Sequence, residues 1–410
     1  MSVLSSTEVL RPGPTGLKRL LMQGVMAAMP FAFRLLRRLK PIPRFGKTYV
    51  VTLHDDVREV FATDPAFGVT YKEKLDVIMG GEPFFLGMAD TPQYRADTAA
   101  MRKVVRPGDL PLLAAKVEAQ AEAIVAGADG RIEVVDTLVR RVTFDFLADY
   151  FGVPAPPGGD LRVWGTRLFE YQFVASDAPL LAEVAEIAPA LRDHIQRQIE
   201  ARRAAPGKVD DVLARCLKLQ KAGEPGFSDA QIRTALMGFI VGGPPQPPMV
   251  VPQAMEQLLR RPDALRGAQA AARAGDDVLL AGYVREAMRF DPLAPGLPRI
   301  VLKDWTVAQG TRHQRTIPAG STVLAAFASA MRDGRRVPDP EHFNPRRLPH
   351  EYIHFGYDLH QCFGIHINNA TLHLMLKPLL KRENLRRASG AAGKLRKNGA
   401  FAESLTVEFD

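Results

Sequence analysis

The sequence predicts a mostly α-helical fold with a minor β-sheet part. Three observations carry that expectation: long stretches of helical apolar spacing, few strand signals, and no regular alternation of strand with helix. Apolar residues recur at helical spacing over 110–126, 132–151, 178–204, 227–241, 251–259, 277–290 and 363–380. Proline and glycine breaks such as VPAPPGG (153–159), AAPGK (204–208) and GGPPQPP (242–248) punctuate them, because proline removes a backbone donor and clashes with the preceding turn. Strand signals are confined to TYVVTL (48–53), WTVAQG (305–310) and TIPAGSTVLAAF (316–327), where Pro-Ala-Gly reads as a turn between short strands. That distribution excludes a Rossmann or TIM architecture, and no repeat marks a solenoid.

At 410 residues the chain is long enough to bury a deep pocket. With 46% apolar and 24% charged residues and a mean hydropathy of −0.08, it is a folded, water-soluble body rather than a disordered or multi-span membrane chain. Two cysteines, Cys216 and Cys362, make no disulfide framework and suit a reducing cytoplasm. The net charge of +9 raises nucleic acid as a partner, but eight Lys/Arg between Lys377 and Lys397 stand against one acid, Glu383. Without aromatic interleaving or zinc-finger spacing, this stretch reads as a solvated basic face, and no specific nucleic acid is expected.

Residues 1–44 read as an N-terminal extension that packs on the body or touches lipid. Its uncharged run, 20–33, is flanked by Lys18, Arg19, Arg34, Arg37 and Arg38 and is interrupted by Pro30. So short a run falls below the ~20 residues a spanning helix needs, and no small-residue cleavage site follows it, so peripheral membrane contact is the most expected of it.

Cys362 lies in Phe355-Gly356-Tyr357-Asp358-Leu359-His360-Gln361-Cys362-Phe363-Gly364, just before an apolar helical stretch. A helix start offers free N–H groups and the positive dipole end to a thiolate, and a glycine turn brings backbone close to a flat ligand. The alternatives are a buried small hydrophobe, or zinc with His360, His366 or His373, whose spacing does not match paired C-x-x-C knuckles. The loop resembles the F-G-x-G-x-H-x-C-x-G signature of the cytochrome P450 family. The resemblance implies a haem held between a long central helix and the cysteine-loop helix. Cys362 would be its axial iron ligand, His360 a propionate donor, Phe355 a neighbour of the thiolate, and Gly356 and Gly364 part of the close approach. Asp358 stands where the family has glycine, and aspartate tolerates a left-handed backbone better than most residues.

Upstream, Glu286 and Arg289 are three apart on one helix face and resemble the family's E-x-x-R. HFNPRR (342–347) resembles its F-x-P-x-R, with Arg347 as third member of the network. Arg299 falls where an arginine of the family meets a haem propionate. ADTPQYRADTAAMRKVV (89–105) resembles the helix crossing the haem after D-x-P, with Tyr94 in place of histidine and Arg95 and Arg102 as further propionate ligands. The resemblance runs over roughly 45–408, so 45–410 is expected to be one haem-binding domain, monomeric and carrying haem b.

The central helix departs from the pattern. Against the family's A-G-x-D/E-T, Gly242 and Gly243 take the small pair, Pro245 the acid and Gln246 the threonine. In the family that acid and hydroxyl deliver protons to dioxygen; proline cannot, and a neutral amide is a poor relay. Peroxide or an organic hydroperoxide, which already carries the oxygen and the reducing equivalents, is therefore the expected oxidant for a monooxygenase- or peroxygenase-type reaction. The alternatives are a conventional monooxygenase, fed by an acidic ferredoxin-type donor, whose relay is a water or substrate hydroxyl, and a non-catalytic haem-binding or ligand-sensing protein. The pocket for a small apolar substrate is expected among Phe84, Phe85, Leu86, Met88, Phe239, Ile240, Leu293, Pro295 and Leu297, each of which serves equally as plain core.

Overall fold

A computed structural model describes residues 2–410. The helices are α1 (Gly16–Leu39), α2 (His54–Ala62), α3 (Lys72–Met79), α4 (Pro92–Val104), α5 (Leu110–Ala126), α6 (Arg141–Phe151), α7 (Leu161–Phe173), α8 (Ala178–Ala204), α9 (Val212–Lys221), α10 (Asp229–Gly242), α11 (Pro247–Leu259), α12 (Pro262–Ala274), α13 (Asp277–Phe290), α14 (Phe327–Ala330) and α15 (Ile365–Leu380). The strands are β1 (Arg44–Phe45), β2 (Thr48–Val51), β3 (Phe67–Val69), β4 (Arg131–Glu133), β5 (Leu297–Val301), β6 (Trp305–Val307), β7 (Arg315–Ile317), β8 (Thr322–Ala325), β9 (Arg386–Arg387), β10 (Arg396–Asn398), β11 (Phe401–Ser404) and β12 (Thr406–Glu408). The fold is thus mostly helical with minor sheets.

α5, α8 and α13 occupy the stretches their periodicity predicts. Polar caps fix the starts of two of them: Asp177 accepts from the Leu180 N–H at 3.1 Å before α8, and Asp276 from the Leu279 N–H at 2.9 Å before α13. The predicted helix over 132–151 is instead β4, a π-helical turn over Val134–Arg140 and α6. Ile132 pairs with Val407 across β4 and β12, and that pairing draws the first residues out of the helix. The main sheet runs β1-β2-β8-β5-β3, with only β2 and β8 parallel. The Pro-Ala-Gly turn carries the chain from β7, which pairs with β6, to β8 in this larger sheet.

α15, the cysteine-loop helix, is buried over most of its length. Its apolar body, including Leu372, Met375, Leu376 and Leu379, packs within the helical core, and Lys377 reaches Glu118 of α5 and Asp277 of α13, both at 2.8 Å. The basic stretch 377–397 is therefore only partly a solvated face, with Arg386, Lys394 and Arg396 exposed and most of its cations ion-paired. Arg382 meets Glu122, Arg387 meets Glu256, Arg396 meets Glu403 and Lys397 meets Asp291, because the C-terminal strands fold back onto acidic neighbours.

α1 runs unbroken through Pro30 and reaches the length of a spanning segment, because proline deletes one hydrogen bond in a helix whose outer side is free to bend.

Two histidines make stability pH-dependent. Burial pushes His373 down to about 4 and His354 down to about 3. Both stay neutral in the fold while the unfolded chain takes up protons below its ordinary pKa of about 6.5, so stability falls as pH drops from there towards 4 and 3 respectively. Each group contributes about 1.4 kcal/mol per pH unit in its window. The melting temperature of His373→Gln should consequently fall less between pH 6.5 and 4 than that of the parent; equal slopes would show that His373 does not carry the effect.

Candidate functional site

The cysteine loop closes as a hydrogen-bonded turn ahead of α15. The Cys362 N–H donates to the Phe355 carbonyl at 2.8 Å, and the Ile365 N–H to the Cys362 carbonyl at 3.2 Å. Gly356 takes φ +75° and Asp358 φ +57°, so the aspartate adopts the left-handed conformation the turn demands. Burial pushes the Cys362 thiol up, while the Gly364 N–H and the Arg102 charge pull it down. Asn368, one turn into α15, places its amide nitrogen 3.9 Å from Sγ.

Around this loop lie buried cationic or polar groups, two of which keep a nitrogen without a partner. Arg299 on β5 is buried beside the Phe61 ring; its Nε has no partner, and its one hydrogen bond goes to the Pro298 carbonyl at 3.1 Å. Burial lowers its pKa, with Tyr71 opposing through charge. His360 sets Nε2 3.2 Å from Asp64 and leaves Nδ1 buried and unpartnered. The Tyr94 hydroxyl donates to the Leu359 carbonyl, and Arg102 donates to the Phe363 carbonyl at 2.9 Å. Arg95 is not brought to this group: it makes a two-pronged pair with Asp90 on the surface, at 2.7 and 2.6 Å.

The central helix is broken where sequence places the small pair. Pro244, Pro245, Pro247 and Pro248 cannot donate to the carbonyls of Ile240, Val241, Gly243 and Pro244, so α10 stops at Gly242 and α11 starts at Pro247. The Gln246 N–H turns to the Gly243 carbonyl at 3.2 Å, and its side-chain amide donates to the Gly242 carbonyl. The side chain thus replaces a missing helical bond. A Cβ at Gly243 would come within 2.7 Å of the Phe239 carbonyl, whereas Gly242 faces open space.

Aromatic side chains join this helix to the cysteine loop. Phe363 stacks on Phe239 at 5.2 Å and meets Phe85 at 5.3 Å, and Phe84 lies 4.5 Å from Phe85. Phe84 packs so closely on Gly238 that a Cβ there would collide with the ring. Leu86, Met88 and Leu293 pack around the same core as Ile240, but Leu297 belongs to the core beneath the main sheet. Pro295 gives its carbonyl to the Ala328 N–H at 3.1 Å.

Glu286, Arg289 and Arg347 form a buried network. Arg289 holds Glu286 through Nε at 2.8 Å and through a second nitrogen at 2.7 Å, and Arg347 Nε reaches the same carboxylate at 3.1 Å. The Asn344 N–H donates to it at 2.9 Å, and Arg289 spends its other donors on the Met331 and Pro340 carbonyls at 3.1 and 2.8 Å. Burial pushes the Glu286 carboxyl up, but the bonds from Arg289 hold it below its ordinary value. Glu286→Ala leaves the buried Arg289 guanidinium without a carboxylate and Arg347 with Glu351 alone, so it should cost about 3–5 kcal/mol in urea unfolding. Unchanged unfolding would reduce the network to a surface pair.

The residues present fit a haem. An iron needs a deprotonated sulfur at Cys362, whose thiol otherwise stays protonated in its enclosure. The two porphyrin carboxylates match the unpaired Arg299 guanidinium and the free His360 nitrogen. Sequence reasoning missed Asn368, Tyr71, Asp64 and Gly238, whose positions depend on long-range packing. Only Gly238, a glycine within a helical stretch, carries a local signal of close approach.

A family model for cytochrome P450 matches residues 170–397. The chain is 26% identical over 352 residues to cytochrome P450 monooxygenase PikC of Streptomyces venezuelae, covering 83% of this chain and 79% of that protein. Over 121 residues, 30% of this chain, it is 36% identical to a bifunctional dioxygenase-epoxy alcohol synthase of Pyricularia oryzae, of which the match covers 10%. The crystal structure of CalO2 superposes with a TM-score of 0.81 at 22% identity, covering 94% of this chain and 97% of that one.

Proposed function

The chain belongs to the cytochrome P450 family of haem-thiolate oxidoreductases, and on that premise we propose that it inserts oxygen into a small apolar substrate and draws that oxygen from peroxide or an organic hydroperoxide. Bound through Cys362, the haem supplies the oxidising chemistry. Arg299 and His360 would hold its carboxylates, with Tyr94 and Arg102 bracing the cysteine loop beside them, and without a C-x-x-C-H pair for thioether links its attachment would be non-covalent, as in haem b.

One observation carries the oxidant assignment: Pro245 and Gln246 occupy the relay positions, and the Gln246 amide is engaged by the Gly242 carbonyl. Dioxygen chemistry consumes two electrons and two protons for each hydroxyl formed, with water as second product. Peroxide chemistry, R–H plus H2O2 giving R–OH plus H2O, needs neither external electrons nor a net supply of protons. The likeness to a dioxygenase-epoxy alcohol synthase supports the same reading. An epoxy alcohol is the isomer of an unsaturated hydroperoxide, formed with no reductant. The likeness to a monooxygenase over most of the chain supports the second reading, in which an acidic ferredoxin-type donor supplies electrons and a water replaces the relay. Product formation with peroxide alone, compared with reduced ferredoxin and dioxygen, separates the two.

A further inference from the structure

The outer face of α1 carries an apolar stripe that none of the described residues covers. Leu17, Leu21, Val25, Phe31, Leu35 and Leu39 recur at four- and six-residue steps along one side of the helix, and all are exposed, Leu17 at 72%, Phe31 at 71% and Leu39 at 74%. At about 1.5 Å per residue the stripe runs about 33 Å. Only the last turns of the opposite side touch the body: Phe33 packs with Val50 and Ala326, and Arg37 donates to the Ser329 hydroxyl at 2.9 Å, while 20–28 are exposed all round. A contiguous exposed patch of this length marks an interaction site.

Charge identifies the partner. From Val9 to His54 the sequence holds no Asp or Glu, while Lys18, Arg19, Arg34, Arg38, Lys40, Arg44 and Lys47 flank or follow the stripe, none of them ion-paired among the described residues. We propose that α1 docks this protein on an anionic lipid bilayer, with its apolar stripe sunk to the acyl boundary and its arginines at the headgroups.

The helix lies in the surface rather than crossing it. The residues before it are fixed to the body: Ser2 donates to Glu186 at 2.7 Å, Trp164 donates to the Leu4 carbonyl at 3.2 Å, and Arg11 pairs with Glu170 and Asp177, both at 2.7 Å. The residues after it enter β1 and β2 of the same body. A span would need its two ends on opposite sides of a hydrocarbon core about 30 Å thick, which would tear one of these attachments away.

The test is cosedimentation of the full-length protein with phosphatidylcholine vesicles, with and without phosphatidylglycerol, at physiological ionic strength. Binding is expected to the mixed vesicles and to weaken as salt rises. Leu21→Asp/Val25→Asp should lower the partition coefficient about 100-fold, because two apolar side chains leave the interface and two anions approach it. Arg34→Glu/Arg38→Glu should abolish the preference for phosphatidylglycerol. Haem content and melting should be unchanged in both, since these side chains are exposed. Alkaline carbonate should release the bound protein. Failure to bind mixed vesicles, undiminished binding of the stripe variant, or resistance to carbonate would each overturn the proposal. A dimer that the stripe variant dissociates, without vesicle binding, would assign the stripe to a second copy instead.

Discussion

Replacing Cys362 with Ala is expected to abolish the red-shifted band of the reduced carbon monoxide complex, which reports a thiolate on the iron. The change is all-or-none because no second sulfur can substitute. Cys216, the only other cysteine, is buried in α9, and burial pushes its thiol up to about 12, so it stays protonated at any working pH. Cys216→Ala should therefore leave the band intact. The loop should survive the Cys362 substitution, because the bond from residue 362 to the Phe355 carbonyl uses the backbone alone. Apoprotein melting is expected to stay close to the parent's, which separates loss of ligation from loss of fold. A Cys362→Ala protein that kept the band would remove the sulfur from the site.

Local patterns predict whatever local forces decide. α8 and α13 sit over 178–204 and 277–290 because a cap, an apolar stripe and a following break all lie within the same short window. The cysteine turn is equally legible, down to the left-handed Asp358, since its constraints are backbone constraints. Departures arise where distant partners compete. β4 is recruited by β12 from the other end of the chain, and the cations of 377–397 read as a free face until acids from α5, α11 and β11 are folded against them. Arg95 sits at a plausible position in sequence, but a surface aspartate five residues earlier holds it away from the cysteine. Asn368 and Tyr71 give no signal at all, because neither residue type nor spacing says that one will approach Sγ and the other Arg299. α1 departs for another reason: proline reads as a break, which holds in a packed interior and much less on an exposed helix.

Peroxide is expected to support turnover at least as well as reduced ferredoxin with dioxygen, and the gap should close in Pro245→Asp/Gln246→Thr. The central break determines both outcomes. With Pro245 unable to exchange a proton and the Gln246 amide donating to Gly242, neither side chain at the relay positions offers a transferable proton. Positioned general acid assistance is typically worth about 100- to 10,000-fold, so dioxygen turnover should be slowed on that scale and electrons should leave as hydrogen peroxide. Peroxide-driven turnover is spared, because the O–O bond arrives already reduced and its second oxygen leaves as water. The double substitution restores a carboxylate and a hydroxyl, and it also returns one backbone N–H at position 245 to the Val241 carbonyl, so part of the helix should re-form. Product and peroxide per electron, measured for both proteins with surrogate ferredoxin, give the coupling; product with peroxide alone gives the reference. A parent enzyme in which nearly every electron appears in product would refute the peroxide assignment and leave a water or substrate hydroxyl as the relay. Coupling that rises in the double variant while its peroxide rate stays level would locate the deficit at residues 245 and 246 themselves. A rise in both rates together would point instead to a reopened pocket, with Phe84 and Phe85, packed against α10, as the next side chains to shorten.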